Sequence, residues 1–152
     1  MGYPAGMRIF VARLAGTAVF DPAGDQIGRV RDVVIAIGVT GPPSVHGLVV
    51  EVQPRRRVFL PITRVQSIEA GAVIFSGRLN MRRFEQRASE SLVIGELLDL
   101  PVDLHGRRVT VQDLAMEQNP HGEWLITKVA VLKPGRGLRR GETVIVDWDE
   151  VS

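Results

Sequence analysis

The sequence predicts an all-β chain built from two copies of one small unit, and three observations predict it. Apolar residues alternate over short runs bounded by Gly, Pro and Asp, as in Leu48, Val50 and Val52 against Val49 and Glu51. A turn-and-strand pattern at residues 20–35 returns near residues 102–116, so that Val30-Arg31-Asp32-Val33-Val34-Ile35 aligns with Val111-Gln112-Asp113-Leu114-Ala115-Met116 without a gap. In both copies the apolar phase slips by one residue at an aspartate, Asp32 or Asp113, which is the mark of a β-bulge.

The first copy opens with residues 8–14, a lead-in strand or short turn. Residues 16–20 enter a turn in which Asp21, Pro22 and Gly24 supply the type I signature, and the chain leaves it along 29–37 with Gly28 at the start of the long strand. Residues 38–44 form a Gly/Pro loop. Residues 45–52 form a strand, 53–56 a turn, and 58–60 a strand that stops at Pro61, which has no ladder donor. Residues 62–65 suit one tight helical turn. A hairpin of 67–69 and 72–75 around Ala70-Gly71 completes the unit.

Residues 77–90 break the β pattern with few β-branched residues and a run of charge, and read as a linker holding a short irregular helix. The boundaries are therefore 7–77 for the first unit, 78–91 for the linker and 92–152 for the second unit. That unit repeats the order: a helical turn at 94–98, Val102, a turn at His105-Gly106, a strand over 108–116, a turn at 118–122, a strand over 124–132, a basic loop at 133–141 and a strand over 143–146.

The predicted core is Val19, Ile27, Val33, Ile35, Leu48, Val50, Val58, Leu60 and Ile68 in the first unit. In the second it is Val102, Val109, Val111, Leu114, Val129, Val131, Val144, Val146 and Trp148. Residues 59–65 align with 145–151, after which only the first unit continues into a hairpin. The second unit is therefore expected to be truncated relative to the first, or completed by it.

Composition narrows the function. The chain has no cysteine, which removes disulfides, thiolate nucleophiles and cysteine zinc sites and fits a reducing cytosol. No apolar run is long enough for a spanning helix, and Arg13 interrupts the N-terminal apolar stretch, which argues against a signal peptide. His46, His105 and His121 are scattered, and no nucleophile elbow occurs, so an enzyme is not expected.

Three groups of side chains are candidates for chemistry. Asp147, Asp149 and Glu150 beside Trp148 offer hard oxygen ligands that would suit Mg²⁺, although a solvated acidic strand end is the plainer reading and no cofactor is required. Arg55, Arg56 and Arg57, the linker arginines Arg78, Arg82, Arg83 and Arg87, and Arg136, Arg139 and Arg140 can form a basic face for a partner or for phosphate backbones. Aromatic residues make up only 5% of the chain, which disfavours a stacking platform for single strands. Asp32, Asp113, Gly24, Gly28, Gly106 and Trp148 read as structural, the two aspartates as acceptors for backbone N–H groups released by the bulges.

Two stretches resemble the PRC-barrel family, named for a small β-barrel of the photosynthetic reaction-centre H subunit. One is Asp21 through Val33, with Gly24, Asp25, Ile27, Gly28, Arg29, Val30 and Asp32 in place. The other is the Val144 to Val151 ending, where Trp148 matches the family's terminal motif and Asp147 replaces its usual Pro. The resemblance implies two PRC-type barrels in tandem. With the linker LNMRRFEQR, it is most similar to the N-terminal part of actinobacterial MgtE-related, CBS-domain-containing proteins. It implies a non-catalytic cytoplasmic adaptor or regulatory module linked to magnesium transport. Its expected partners are another protein or downstream helical and CBS domains, with a homo-oligomer as a further expectation. PRC-type barrels also occur in a ribosome-maturation factor, so RNA or ribosome association is the alternative.

Overall fold

The computed structural model describes residues 8–53, 55–69, 71–138 and 140–152; the expectations placed on the first residues, Pro54, Ala70 and Arg139 lie outside the described residues. The first half runs β1 (Arg8–Phe10), a helical turn α1 (Val11–Leu14), β2 (Ala18–Phe20), β3 (Gln26–Ala36), β4 (Ser44–Gln53), β5 (Arg56–Pro61), a 3-10 turn (Ile62–Arg64), β6 (Val65–Glu69) and β7 (Ala72–Phe75). The second half runs β8 (Ser91–Leu92), a π-type turn (Val93–Leu97), β9 (Pro101–Leu104), β10 (Arg107–Gln118), β11 (Trp124–Lys133), β12 (Glu142–Asp147) and a 3-10 turn (Trp148–Glu150). All twelve strands belong to one curled sheet.

Local chemistry explains the turns. The Asp21 carboxylate accepts the N–H groups of Ala23 and Asp25 at 3.0 and 2.9 Å, and Gly24 takes a φ of 90° that a residue with a Cβ resists. In the second half Leu104 pairs with Arg107 across a two-residue turn, His105 and Gly106 adopt φ of 50° and 83°, and Asp103 accepts the Gly106 N–H at 3.1 Å.

The bulges fall at the phase slips. Pairing of β3 with β4 shifts between Val30 and Asp32 and again between Val34 and Ile35. Pairing of β10 with β11 shifts at the corresponding places, between Val111 and Asp113 and between Ala115 and Met116.

The two halves are not separate barrels joined by a linker. Their leading segments are exchanged: β1 pairs antiparallel with β10 of the second half, through Phe10 and Ala115, while β8 pairs antiparallel with β3 of the first, through Leu92 and Val34. Beyond the leading strands, the Gly16 N–H donates to the Val30 carbonyl at 2.7 Å. The Asp99 N–H donates to the Val111 carbonyl at the same distance, with φ of 82° at Gly16 and 70° at Asp99. The halves also meet where Leu125 of β11 pairs with Ser44 of β4 and the Ile126 N–H donates to the Pro43 carbonyl at 2.9 Å.

One apolar cluster therefore runs through both halves and includes Val11 and Leu14 of α1 and Val93 of the π-type turn. Of the predicted core, Ile27, Val102, Val144, Val146 and Trp148 are only partly buried, and the others are buried.

The expected helix in the linker is absent: residues 77–90 contain neither helix nor strand. Asn80 Oδ1 accepts the Arg82 N–H at 3.0 Å, and the Phe84 N–H donates to the Arg57 carbonyl at 2.8 Å, so these donors serve a local turn and the flank of β5 in place of helical bonds.

Candidate functional site

The fold of the linker back onto β5 creates an arginine-lined cleft. Phe84 stacks on Phe59 of β5 with ring centroids 5.9 Å apart, and Arg56 Nη1 donates to the Met81 carbonyl at 3.0 Å. Between the linker and the β5 end of the sheet lies an open cavity of about 600 Å³, with His46, Phe59, Arg64, Arg82, Arg83 and Arg87 among its lining residues. The Arg64 guanidinium donates to the Arg78 carbonyl, which fixes its arm against the start of the linker.

The acidic end of the cleft is ordered by Glu90. Its carboxylate accepts the Arg87 N–H at 2.9 Å and lies 3.1 Å from His46 Nδ1. Burial opposes its ionisation, but the Arg87 N–H, the His46 ring and the Arg87 charge together hold the carboxyl below its ordinary range. Arg82 and Arg83 are exposed and form no ion pair among the described residues.

The predicted arginines are thus divided among three places. Arg82 and Arg83 line the cleft. Arg56 ties the linker to β5, Arg57 lies 3.8 Å from Glu51, and Arg55 is exposed in the turn with φ of 68°. Arg136 and Arg140 are exposed in the β11–β12 loop and do not line the cleft; Arg139 lies outside the described residues. Arg64, His46, Glu90 and the Phe59–Phe84 pair were not expected as site residues. Nothing local marks them, since residues far apart in the chain meet only when the linker folds back.

The acidic residues at 147–150 are engaged by their own turn. Asp147 pairs with Lys128 and caps the 3-10 turn, while Glu150 Oε2 accepts the Asp147 N–H at 2.7 Å and Glu150 Oε1 lies 3.2 Å from His105 Nε2. The Asp147 N–H, then the His105 ring, hold the Glu150 carboxyl below its ordinary range. Asp149 is exposed, and no group of three His, Cys, Asp or Glu among the described residues is arranged to hold a metal ion.

Asp32 and Asp113 lie at the crossings of the exchanged segments. Asp32 is buried; its Oδ1 accepts the N–H groups of Val33 at 2.8 Å and Ile94 at 2.7 Å, and its Oδ2 accepts that of Gly95 at 2.9 Å. Asp113 Oδ1 accepts the Leu114 N–H at 2.8 Å and the Ala12 N–H at 3.1 Å. Each carboxylate therefore serves one N–H beside its own bulge and the helical turn of the opposite half. Burial raises the Asp113 carboxyl above its ordinary value of 3.8, against the opposing pull of the Ala12 and Leu114 N–H groups.

No helix among the described residues is long and apolar enough to cross a membrane. Comparison with known families matches residues 7–79 to the PRC-barrel domain and residues 91–152 to the Actinomycetes SH3 domain. The second half, for which a second PRC-type barrel was expected, is thus matched to a different family. No curated protein matches the chain. The first half of the chain is thus similar to PRC-barrel domains and the second half to Actinomycetes SH3 domains.

Proposed function

We propose that this chain is a non-catalytic adaptor that holds an acidic segment of a protein partner in the arginine-lined cleft. The observation that carries the reading is the convergence of Arg64, Arg82, Arg83 and Arg87 around one cavity with the Phe59–Phe84 stack in its wall. Guanidinium forks suit carboxylates, and each ion pair at such exposed arginines is worth up to about 1 kcal/mol, so several must act together. The aromatic wall accepts an apolar side chain beside the acidic ones. A module with an SH3 match in its second half suits a role in protein interaction. The adaptor would work in the cytoplasm, in keeping with a cysteine-free sequence. Neither family match supports a link to magnesium transport, and the proposal does not include one.

A fluorescent Glu/Asp-rich peptide containing one Phe tests the proposal when titrated against the intact chain and against an R82E/R83E variant. The expected result is saturable binding that weakens at least tenfold in the variant and falls with added salt. Equal binding by both proteins contradicts it. Preference for a single-stranded RNA of the same net charge, with a steep salt dependence and sensitivity to charge reversal at Arg55, Arg56 and Arg57, would favour the nucleic-acid reading.

A further inference from the structure

Two hairpin tips of the second half lie at one end of its sheet. Strands β10 and β11 are antiparallel, with Thr110 opposite Leu132. The turn joining β9 to β10 at His105-Gly106 and the loop joining β11 to β12 over residues 134–141 therefore project from the same end. The loop is pinned at its base: Lys133 pairs with Glu142, and a Cβ on Gly141 would stand only 2.6 Å from the Lys133 carbonyl. Its apex is a turn at Gly137-Leu138 with φ of 60° at Gly137, and Leu138 is fully exposed, at 106%. Charge at this end is one-sided. Asp103 stands opposite Arg108 and Glu142 opposite Lys133, while Glu150 is taken up by His105 and by its own turn. Arg107, Arg136 and Arg140 are left over: each is exposed and forms no ion pair among the described residues.

We infer that this end of the molecule docks on an anionic lipid bilayer, with Leu138 entering the boundary between headgroups and acyl chains and Arg107, Arg136 and Arg140 meeting the lipid phosphates and carboxylates. Two properties select a bilayer. The first is shape. A protruding hairpin apex offers no groove or flat face to a folded protein, whereas a bilayer takes in a bare apolar side chain without a matching contour. The second is that apolar and cationic groups share the apex. A nucleic acid uses the arginines but has no place for the leucine, and neither segment, 103–108 nor 133–142, holds a Phe, Tyr or Trp on which a base could stack. An anionic leaflet uses both: each basic residue near its surface raises affinity about fivefold, and the leucine adds the burial of its side chain. Arginines and a single leucine fall well short of a permanent anchor, so the contact is reversible and salt-sensitive. The inference stands apart from the proposed function, because none of these residues lines the arginine cleft.

The test exploits the absence of cysteine: Leu138→Cys gives the intact chain a single thiol for a polarity-sensitive fluorescent dye. Val39→Cys is the matched control. Val39 is equally bare, at 102%, but lies in the β3–β4 loop, which adjoins the opposite end of β11, where Leu125 pairs with Ser44. Both labelled chains are mixed with vesicles of phosphatidylcholine and phosphatidylserine in equal parts, and with vesicles of phosphatidylcholine alone. The expected result is a blue shift of the dye at position 138 on the mixed vesicles only, and none at position 39. Flotation of the unlabelled chain with the mixed vesicles is expected to weaken about twentyfold in R136E/R140E and about tenfold in Leu138→Asp. R82E/R83E makes the same change in net charge in the linker, and is expected to stay within about threefold of the unaltered chain. Leu138, Arg136 and Arg140 are exposed, so their substitution leaves the fold in place, which circular dichroism checks. No flotation with the mixed vesicles, an unshifted dye at position 138 on a chain that floats, or equal losses in R82E/R83E and R136E/R140E overturns the inference. Tighter binding to a single-stranded RNA than to the vesicles, lost in R136E/R140E but kept in Leu138→Asp, also overturns it by assigning the basic end to nucleic acid.

Discussion

Asp32 answers three N–H groups with one buried carboxylate, two of them from a turn more than sixty positions away in sequence. Asp32→Ala removes the acceptor of the buried Val33 N–H and of the part-buried bonds from Ile94 and Gly95, and an unsatisfied buried donor costs about 1–3 kcal/mol. The substitution is expected to destabilise the chain by roughly 3 kcal/mol, as read by urea unfolding. Asp113→Ala is expected to cost less, about 1–2 kcal/mol, because the group is half-buried and serves one N–H of the opposite half rather than two. Asp113 also carries a pH signature. Its folded carboxyl lies above the ordinary 3.8, so the folded state binds the proton more tightly than the unfolded chain does. Its contribution is fully present below the unfolded value and is lost as pH rises through the folded one. Asp113→Asn is therefore expected to flatten the stability profile over that interval, as measured by unfolding at a series of pH values. Glu150 has the opposite sign: its lowered carboxyl favours folding above the ordinary 4.5, and that contribution is lost as pH falls through the folded value.

Strands and turns are where the sequence is most readable, because each is decided by neighbours. The Asp-Pro-x-Gly turn follows from side-chain acceptors and a positive φ at Gly24, and the phase slips at Asp32 and Asp113 mark the register shifts. Gly28 shows the physical reason for a small residue in β3. A Cβ there would overlap the backbone carbonyl of Glu51 on β4, and neither strand can yield without moving its ladder. Gly28→Ala is expected to cost about 1–3 kcal/mol, measured by thermal or urea unfolding, with loss of amide protection first at the β3–β4 pairing near Glu51. The linker departs from its expected helix because its charge run and low β-branched content describe only its own preferences. Its actual conformation is set by Phe59, Arg56 and the Arg57 carbonyl, partners that do not adjoin it in sequence. The same reason hides the arginine cleft from a sequence reading: Arg82 and Arg83 are visible as charge, whereas Arg64 and the His46–Glu90 pair join them only through tertiary folding.

At the scale of the molecule, exchange of the leading segments turns the two halves of the chain into one interlocked body. The α1 turn is anchored on β10 by Asp113, the π-type turn on β3 by Asp32, and a single apolar cluster joins them. Neither half can lose its grip on the other's leading segment without exposing apolar side chains such as Val11, Leu14 and Val93, which are 0%, 3% and 0% exposed. Leu14→Ala is therefore expected to cost about 2–5 kcal/mol and to loosen amides of β10 as well as those of β3, as read by native-state hydrogen exchange. This interlocking is not legible in the sequence, which shows that the halves are alike but not which half each leading segment joins. The measurement that tests it most directly is urea unfolding of Asp32→Ala, followed by tryptophan fluorescence and by far-ultraviolet circular dichroism. Asp32 belongs to the first half, whereas Trp124 and Trp148, the only tryptophans, both belong to the second. An interlocked body predicts that the fluorescence transition moves to lower urea by about 1–2 M and coincides with the circular-dichroism transition. A tryptophan transition left at the wild-type midpoint, with only part of the dichroism signal lost early, would show that the halves unfold independently and would contradict the account.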